Sequence, residues 1–141
     1  MSIYADTCVF VSLYLTDSHA AEVERRLQSR LAVWMTPLHV AEWVHALEQH
    51  VFRQAITRND ADRLFARFEQ HRSQALWREV AVPERAFEVC AHLAMQHAAR
   101  LGVRTLDTLH VACALELKAE RFWTFDHRQA KLALAVGLKT I

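Results

Sequence analysis

Glycine and proline are nearly absent: the 141 residues hold two of each. Long irregular loops rely on both, so the chain is expected to be built from regular elements joined by short connections. Cysteine is equally sparse. Cys8, Cys90 and Cys113 have no metal-site spacing, and an odd number argues against a disulfide framework. Cys90 and Cys113 fall in apolar helical patterns and read as small core residues. No apolar run approaches the ~20 residues of a membrane span. The start, MSIYADTC, has neither a basic segment nor a long apolar stretch, so no signal peptide is expected and the simplest location is the cytoplasm. Lysine is rare, three against 14 arginines. Arginine's planar fork suits phosphate, yet the ordinary use of each one is a helix surface paired with glutamate. The net charge of +1 says nothing either way about nucleic acid.

What remains is an ordinary globular composition, 52% apolar and 23% charged, in a length that suits one domain over residues 1–141. The run 2–5 reads as a buried strand ending at Asp6, followed by a turn or helix start. Residues 17–30 have a helical pattern with Asp17 or Ser18 as cap. Residues 31–35 form a second strand candidate. Thr36 and Pro37 then open a long helix through LHVAEWVHALEQHVFRQA, since Thr is a good N-cap and Pro suits the first helical position. Another helix begins near Asn59 and Asp60 and runs to about Gln74. A strand is expected at 78–82, and a helix from Pro83 to about Arg100, stopped by Gly102. Thr105 caps a helix over DTLHVACALELK. A strand at 121–125, a helix at 127–136 ended by Gly137, and a last short strand at 138–141 complete the chain. Strands alternating with helices imply an α/β domain, with a parallel central sheet of about five strands and helices on both faces.

In such sheets ligands bind outside the carboxyl ends of the strands. Asp6 and Asp126 sit at two of those ends. Glu42 and Asp107 lie near the starts of otherwise apolar helical segments expected to face the same edge. Each has a plain structural use. Asp126 fits a capping box with Gln129, Asp107 in a first turn suits the helix dipole, and Asp6 can cap the segment after it. Glu42 is harder to explain, because its neighbours are mostly apolar and an unpaired buried carboxylate is unfavourable. Together, four converging carboxylates repel one another, and a divalent cation removes that penalty. Hard oxygen ligands suit Mg²⁺ or Mn²⁺, which can activate water and stabilise charge on a phosphate.

Four blocks, SIYADTCVFVSLY, TPLHVAEWVHAL, RTLDTLHVACAL and RFWTFDHRQAKLALAVGL, resemble the PIN domain family over essentially the whole chain. Within it they resemble the toxin subunits of VapBC toxin–antitoxin systems, VapC. The resemblance implies an endoribonuclease whose acids bind Mg²⁺ or Mn²⁺ and hydrolyse RNA phosphodiester bonds. By matching position these acids are Asp6, Glu42, Asp107 and Asp126, with Thr124 orienting an acid or a metal-bound water. It also implies a homodimer and a cognate antitoxin whose C-terminal tail covers the site. Cys8 stands where the family often has Ser or Asn, and His127 where Arg is common; neither removes a metal ligand.

Of the nine histidines, the pairs His45/His50 and His92/His97 are five apart, which misaligns them on a helix face and argues against zinc. His110, three after Asp107, either supports that acid or packs in the core. Arg53, Arg58, Arg63, Arg67 and Arg72 scatter around two helices and read as a solvated face, whereas Arg104 is expected beside the acids, where it could meet a phosphate or an antitoxin carboxylate. The apolar excess at 9–15 is either core or a dimer surface. Two other functions stand beside the toxin reading: a non-catalytic PIN-fold module that docks basic residues of a partner, and a PIN nuclease of RNA maturation, or one acting on DNA, outside any toxin system.

Overall fold

The computed structural model describes residues 1–29 and 31–141. Its sheet is parallel, and among the described residues it has four strands in the order β3-β2-β1-β4: β1 (Ser2–Ala5), β2 (Ala32–Met35), β3 (Arg78–Glu79) and β4 (Arg121–Trp123). The expected fifth strand at 138–141 reduces to a single bridge between Phe122 and Thr140. The register pairs Tyr4 with both Trp34 and Phe122. These three side chains point to one face, into a core with Leu93, Val111 and Leu132. Their neighbours Ile3, Ala5, Val33, Met35 and Trp123 point to the other, into a core with Phe10, Trp43 and Phe68. The period-two alternation of the strands thus divides the interior into two apolar layers.

One layer is covered by α1 (Thr7–Leu15), α2 (Ala20–Leu27), α3 (Pro37–Phe52) and α4 (Arg58–Ser73). The other is covered by α5 (Ala86–Leu93), α7 (Thr105–Glu116) and α8 (His127–Ala135). A π-helical turn (Ala94–Ala98) and the short α6 (Ala99–Leu101) prolong α5 to Gly102. α1 carries the helix start expected after Asp6 through to Leu15. Its sequence, TCVFVSLYL, is apolar nearly all round, so it carries no amphipathic period. Val9, Phe10 and Tyr14 are buried, and Val11, Leu13 and Leu15 pack against the same core, which uses the apolar excess at 9–15 without a dimer.

The boundaries shift for local reasons. The helix expected at 17–30 is observed as α2, and Arg30 lies outside the described residues. β3 covers two residues of the expected five. The helix expected from Pro83 starts at Ala86, and β4 stops at Trp123. Arg104, not Thr105, is the N-cap of α7. Thr57 caps α4, exchanging hydrogen bonds with Asp60. Gly102 does end its helix, at φ 67°. Elsewhere the scarcity of glycine has a visible outcome: Thr16, Gln54, Ala75 and Lys118, which follow α1, α3, α4 and α7, adopt left-handed backbone with φ between 53° and 59°.

The start of α3 is tied to β1 by a buried histidine. The Thr36 backbone N–H donates to His39 Nδ1 at 2.9 Å, which leaves Nε2–H to donate to the Ala5 carbonyl at 2.8 Å. Burial, and then the charge of His110, push the His39 pKa down to about 3. The unfolded chain, with a histidine pKa of about 6.5, therefore binds more protons than the folded one below that pH. This contribution to stability is complete above about pH 6.5 and is lost as pH falls toward the folded value. His39→Leu should lose about 1–3 kcal/mol at neutral pH, because it strands a buried donor and acceptor. It should also flatten the decline in stability on acidification, as read from urea midpoints of both proteins between about pH 6.5 and 4.

Candidate active site

Three of the expected carboxylates, Asp6, Asp107 and Asp126, line one cleft of about 420 Å³ at the carboxyl edge of the sheet. Each is delivered by a different junction. Asp6 follows β1, and its backbone N–H continues the ladder to the Trp123 carbonyl at 2.7 Å. It caps α1, Oδ2 accepting the Cys8 N–H at 3.0 Å. Asp126 caps α8, Oδ1 accepting the Gln129 N–H at 2.9 Å. Asp107 lies in the first turn of α7, a helix buried from Thr108 to Ala114, so the core fixes where it emerges. Its Oδ2 accepts from Arg104 Nε at 3.1 Å and from the Arg104 N–H at 3.3 Å. Arg104 is at the cleft rim as expected, with its side chain 81% exposed.

Glu42 is not brought into this cleft. It faces an adjoining recess with Arg104, Leu106 and Asp107. Its Oε1 accepts from Thr7 Oγ1 at 2.9 Å and is held by a short contact with His110 Nε2. His110 is fully buried, its Nδ1 is 2.9 Å from the Tyr4 hydroxyl, and its Nε2 lies 3.8 Å from Asp6 Oδ1. Burial alone would push its pKa down. The hydrogen bond to Glu42 and the charges of Asp6, Glu42 and Asp107 outweigh burial and raise it. Reciprocally, burial pushes Asp6 up, but the His110 charge and the hydrogen bonds from Cys8 and Gln129 hold it below the usual range. His110 packs in the core, and the acid it contacts is Glu42 rather than the expected Asp107.

Two neighbours were not foreseen at this site. Asp17 also lines the cleft, held by Ser12 Oγ at 2.8 Å and the His19 N–H at 2.8 Å. Gln129 is completely buried and makes no reciprocal capping box with Asp126. The Asp126 N–H instead donates to Thr124 Oγ1 at 3.0 Å, and the Gln129 carboxamide turns inward to Asp6, Asp107 and Thr124. The available signal was a polar residue sharing a helix face with buried Leu132 and Ala133. Burial and the Asp6 charge raise the Cys8 thiol well above its ordinary pKa, so it is no thiolate nucleophile.

The donor set fits a hard cation. Asp107 Oδ1 and Asp126 Oδ2 have no hydrogen-bond partner among the described residues, and oxygen-only ligands suit Mg²⁺ or Mn²⁺. Among the described residues no three His, Cys, Asp or Glu side chains converge tightly enough to share one ion. Mg²⁺ in particular is commonly held by one or two carboxylates with the rest of its shell water. A larger cavity of about 500 Å³, between Met35, Val40 and Val80, lacks this chemistry: its Arg72 and Glu79 are already paired at 2.6 Å.

The sequence profile of the PIN domain matches residues 3–134. Solved structures share the fold at low identity. A chain of VapBC2 from Rickettsia felis, bound to a DNA fragment from its promoter, superposes with a TM-score of 0.69 at 10% identity, covering 100% of this chain and 98% of that one. VapC20 of Mycobacterium tuberculosis, described as a Sarcin-Ricin loop cleaving toxin, gives 0.70 at 17% identity, covering 96% and 95%. A chain of FitAcB from Neisseria gonorrhoeae gives 0.72 at 19% identity, covering 99% and 96%. No curated protein sequence matches this chain significantly.

The Glu42–His110 pair makes a pH prediction for the protein without metal. With its folded pKa raised, His110 contributes stability that is complete below about pH 6.5 and is lost as pH rises through the folded value. Glu42→Gln keeps an acceptor oxygen but removes the negative charge that holds the proton, so the His110 midpoint should fall and the loss should begin at lower pH. Titration of the His110 ring protons by NMR checks this; an unmoved midpoint would mean that Glu42 does not hold the charge.

Proposed function

Because the chain belongs to the PIN domain family, we propose that it is a metal-dependent endoribonuclease hydrolysing RNA phosphodiester bonds, the toxin of a type II toxin–antitoxin pair. The observation that carries this reading is the meeting of Asp6, Asp107 and Asp126 in one cleft. Three segments far apart in sequence deliver negative charge to the ligand-binding edge of a parallel sheet, an arrangement that core packing alone does not require. The description of VapC20 as a loop-cleaving toxin and the two further structures support it.

In this reading Asp6, Asp107 and Asp126 hold Mg²⁺ or Mn²⁺ partly through water in its shell, and Glu42, on the other side of Asp107, acts through water or through its contact with His110. A bound ion supplies Lewis acidity to a water and to the scissile phosphate. The protein does the rest. The charge of His110 favours the ionised form of Asp6 while no ion is present. Thr124 fixes the turn into α8 by accepting the Asp126 N–H. Arg104 offers a guanidinium to a phosphate oxygen or to an antitoxin carboxylate. The partners are RNA, a cognate antitoxin and a second copy of the chain.

A second reading has its own observation. Asp6 and Asp126 both cap helices, and Asp107 is paired with Arg104, so each acid has a use without metal. The cleft would then dock basic residues of a partner without turnover. Asp→Asn changes separate the two, because asparagine still caps a helix but loses the charge. Calorimetry with Mn²⁺ should show saturable binding to the wild-type protein freed of antitoxin. Asp6→Asn and Asp126→Asn should weaken that binding at least about ten-fold with the fold intact by circular dichroism. Absence of binding to the wild-type protein would refute the nuclease and leave the docking module.

A further inference from the structure

Gln129 touches the segments that carry Asp6, Asp107 and Asp126, and no role in a reaction attaches to it. It is fully buried in the first turn of α8. Its Nε2 donates to Asp6 Oδ1 at 2.9 Å and to the Asp107 carbonyl at 3.1 Å. Its Oε1 accepts from the Thr124 hydroxyl at 2.6 Å, and its backbone N–H binds Asp126 Oδ1 at 2.9 Å. One residue thus links the β1–α1 junction, the first turn of α7 and the exit from β4.

The orientation of the carboxamide is set by its surroundings. Asp6 Oδ1 and the Asp107 carbonyl can only accept, so the NH₂ group must face them. Thr124 Oγ1 already accepts the Asp126 N–H and is left to donate to Oε1. Reversing the amide would set its carbonyl oxygen against two acceptors. Among the described residues, Gln129 is also the one hydrogen-bond donor to Asp6 Oδ1, since His110 Nε2 at 3.8 Å is beyond hydrogen-bond reach.

We propose that Gln129 is a positioning residue: its buried carboxamide locks the Asp6 carboxylate in one rotamer and sets its distance from α7, so that Asp6 and Asp107 present their oxygens to one cation. The ion is the part that rests on the nuclease reading; the locking of Asp6 does not. A group that orients a ligand without touching the metal typically changes affinity by about 10–100-fold when removed.

The test compares the full chain with Gln129→Met, which keeps an unbranched side chain of similar length without donors. A control, Leu132→Ala, removes packing from the same helix; Leu132 is fully buried in the core and does not line the cleft. Without metal, three-bond couplings should report one Asp6 χ1 rotamer in the wild-type protein and in Leu132→Ala, but averaging in Gln129→Met. A single Asp6 rotamer in Gln129→Met overturns the proposal. In calorimetry, Gln129→Met should bind Mn²⁺ about ten-fold or more weakly than wild type, and Leu132→Ala within about two-fold. Equal losses in the two variants would reduce Gln129 to a general stabiliser and overturn it as well. If Gln129→Met does not fold, the wild-type protein decides: on Mg²⁺ titration the Gln129 carboxamide resonances should shift in step with the Asp6 carboxyl resonance, and saturation without that shift rejects the proposal. A wild-type protein that binds no ion defeats the nuclease reading alone, because the metal-free couplings still decide whether Gln129 holds Asp6.

Discussion

Negative charge withdrawn from water at the end of a parallel sheet has to be offset, and much of this molecule is arranged around that requirement. Asp6 is buried, yet its carboxyl pKa is held low because His110 lies near one side and hydrogen-bond donors approach from the others. The pKa of His110 is raised in turn by Glu42 and Asp6 beside it. Each group thus favours the charged form of the other. The pair joins α1, α3, α7 and β1 through their side chains, so the chemistry of the edge and the packing beneath it are one network rather than a site laid over a scaffold.

The sheet makes that network possible by sorting its side chains. Tyr4 points into the layer beneath α7, where its hydroxyl meets His110, while its neighbours Ile3 and Ala5 enter the opposite layer. A shift of one residue in β1 would exchange the two sets and remove the support of His110. His39 secures the same strand from the α3 side by holding the Ala5 carbonyl, immediately before Asp6. The position of the first acid is therefore fixed by backbone and side-chain contacts on both faces.

Sequence made some of this legible. Asp6 and Asp126 stand out because apolar strand residues stop abruptly at a carboxylate, and the alternation of strands and helices points to the sheet edge where they meet. Glu42 was conspicuous as a carboxylate among apolar neighbours, but its partner is His110, 68 residues away, and no local pattern reveals a contact of that range. The same holds for Gln129, whose short-range capping explanation was plausible and hid contacts to residues 6 and 107. The extent of α1 escaped because a helix buried on nearly all sides has no polar face to mark its period. β3 fell short because both its residues are exposed on an edge strand, where pairing partners rather than side-chain pattern decide its length.

The four left-handed residues that come after α1, α3, α4 and α7 carry a different implication. A side chain in that conformation costs roughly 1 kcal/mol relative to glycine, and the chain accepts this at Thr16, Gln54, Ala75 and Lys118. Gln54, Ala75 and Lys118 do not line the acidic cleft. They amount to a reserve of evolvability: single changes to glycine at helix exits can restore stability that a substitution near the acids has eroded, so the cleft can be remodelled while the fold is held by positions remote from it.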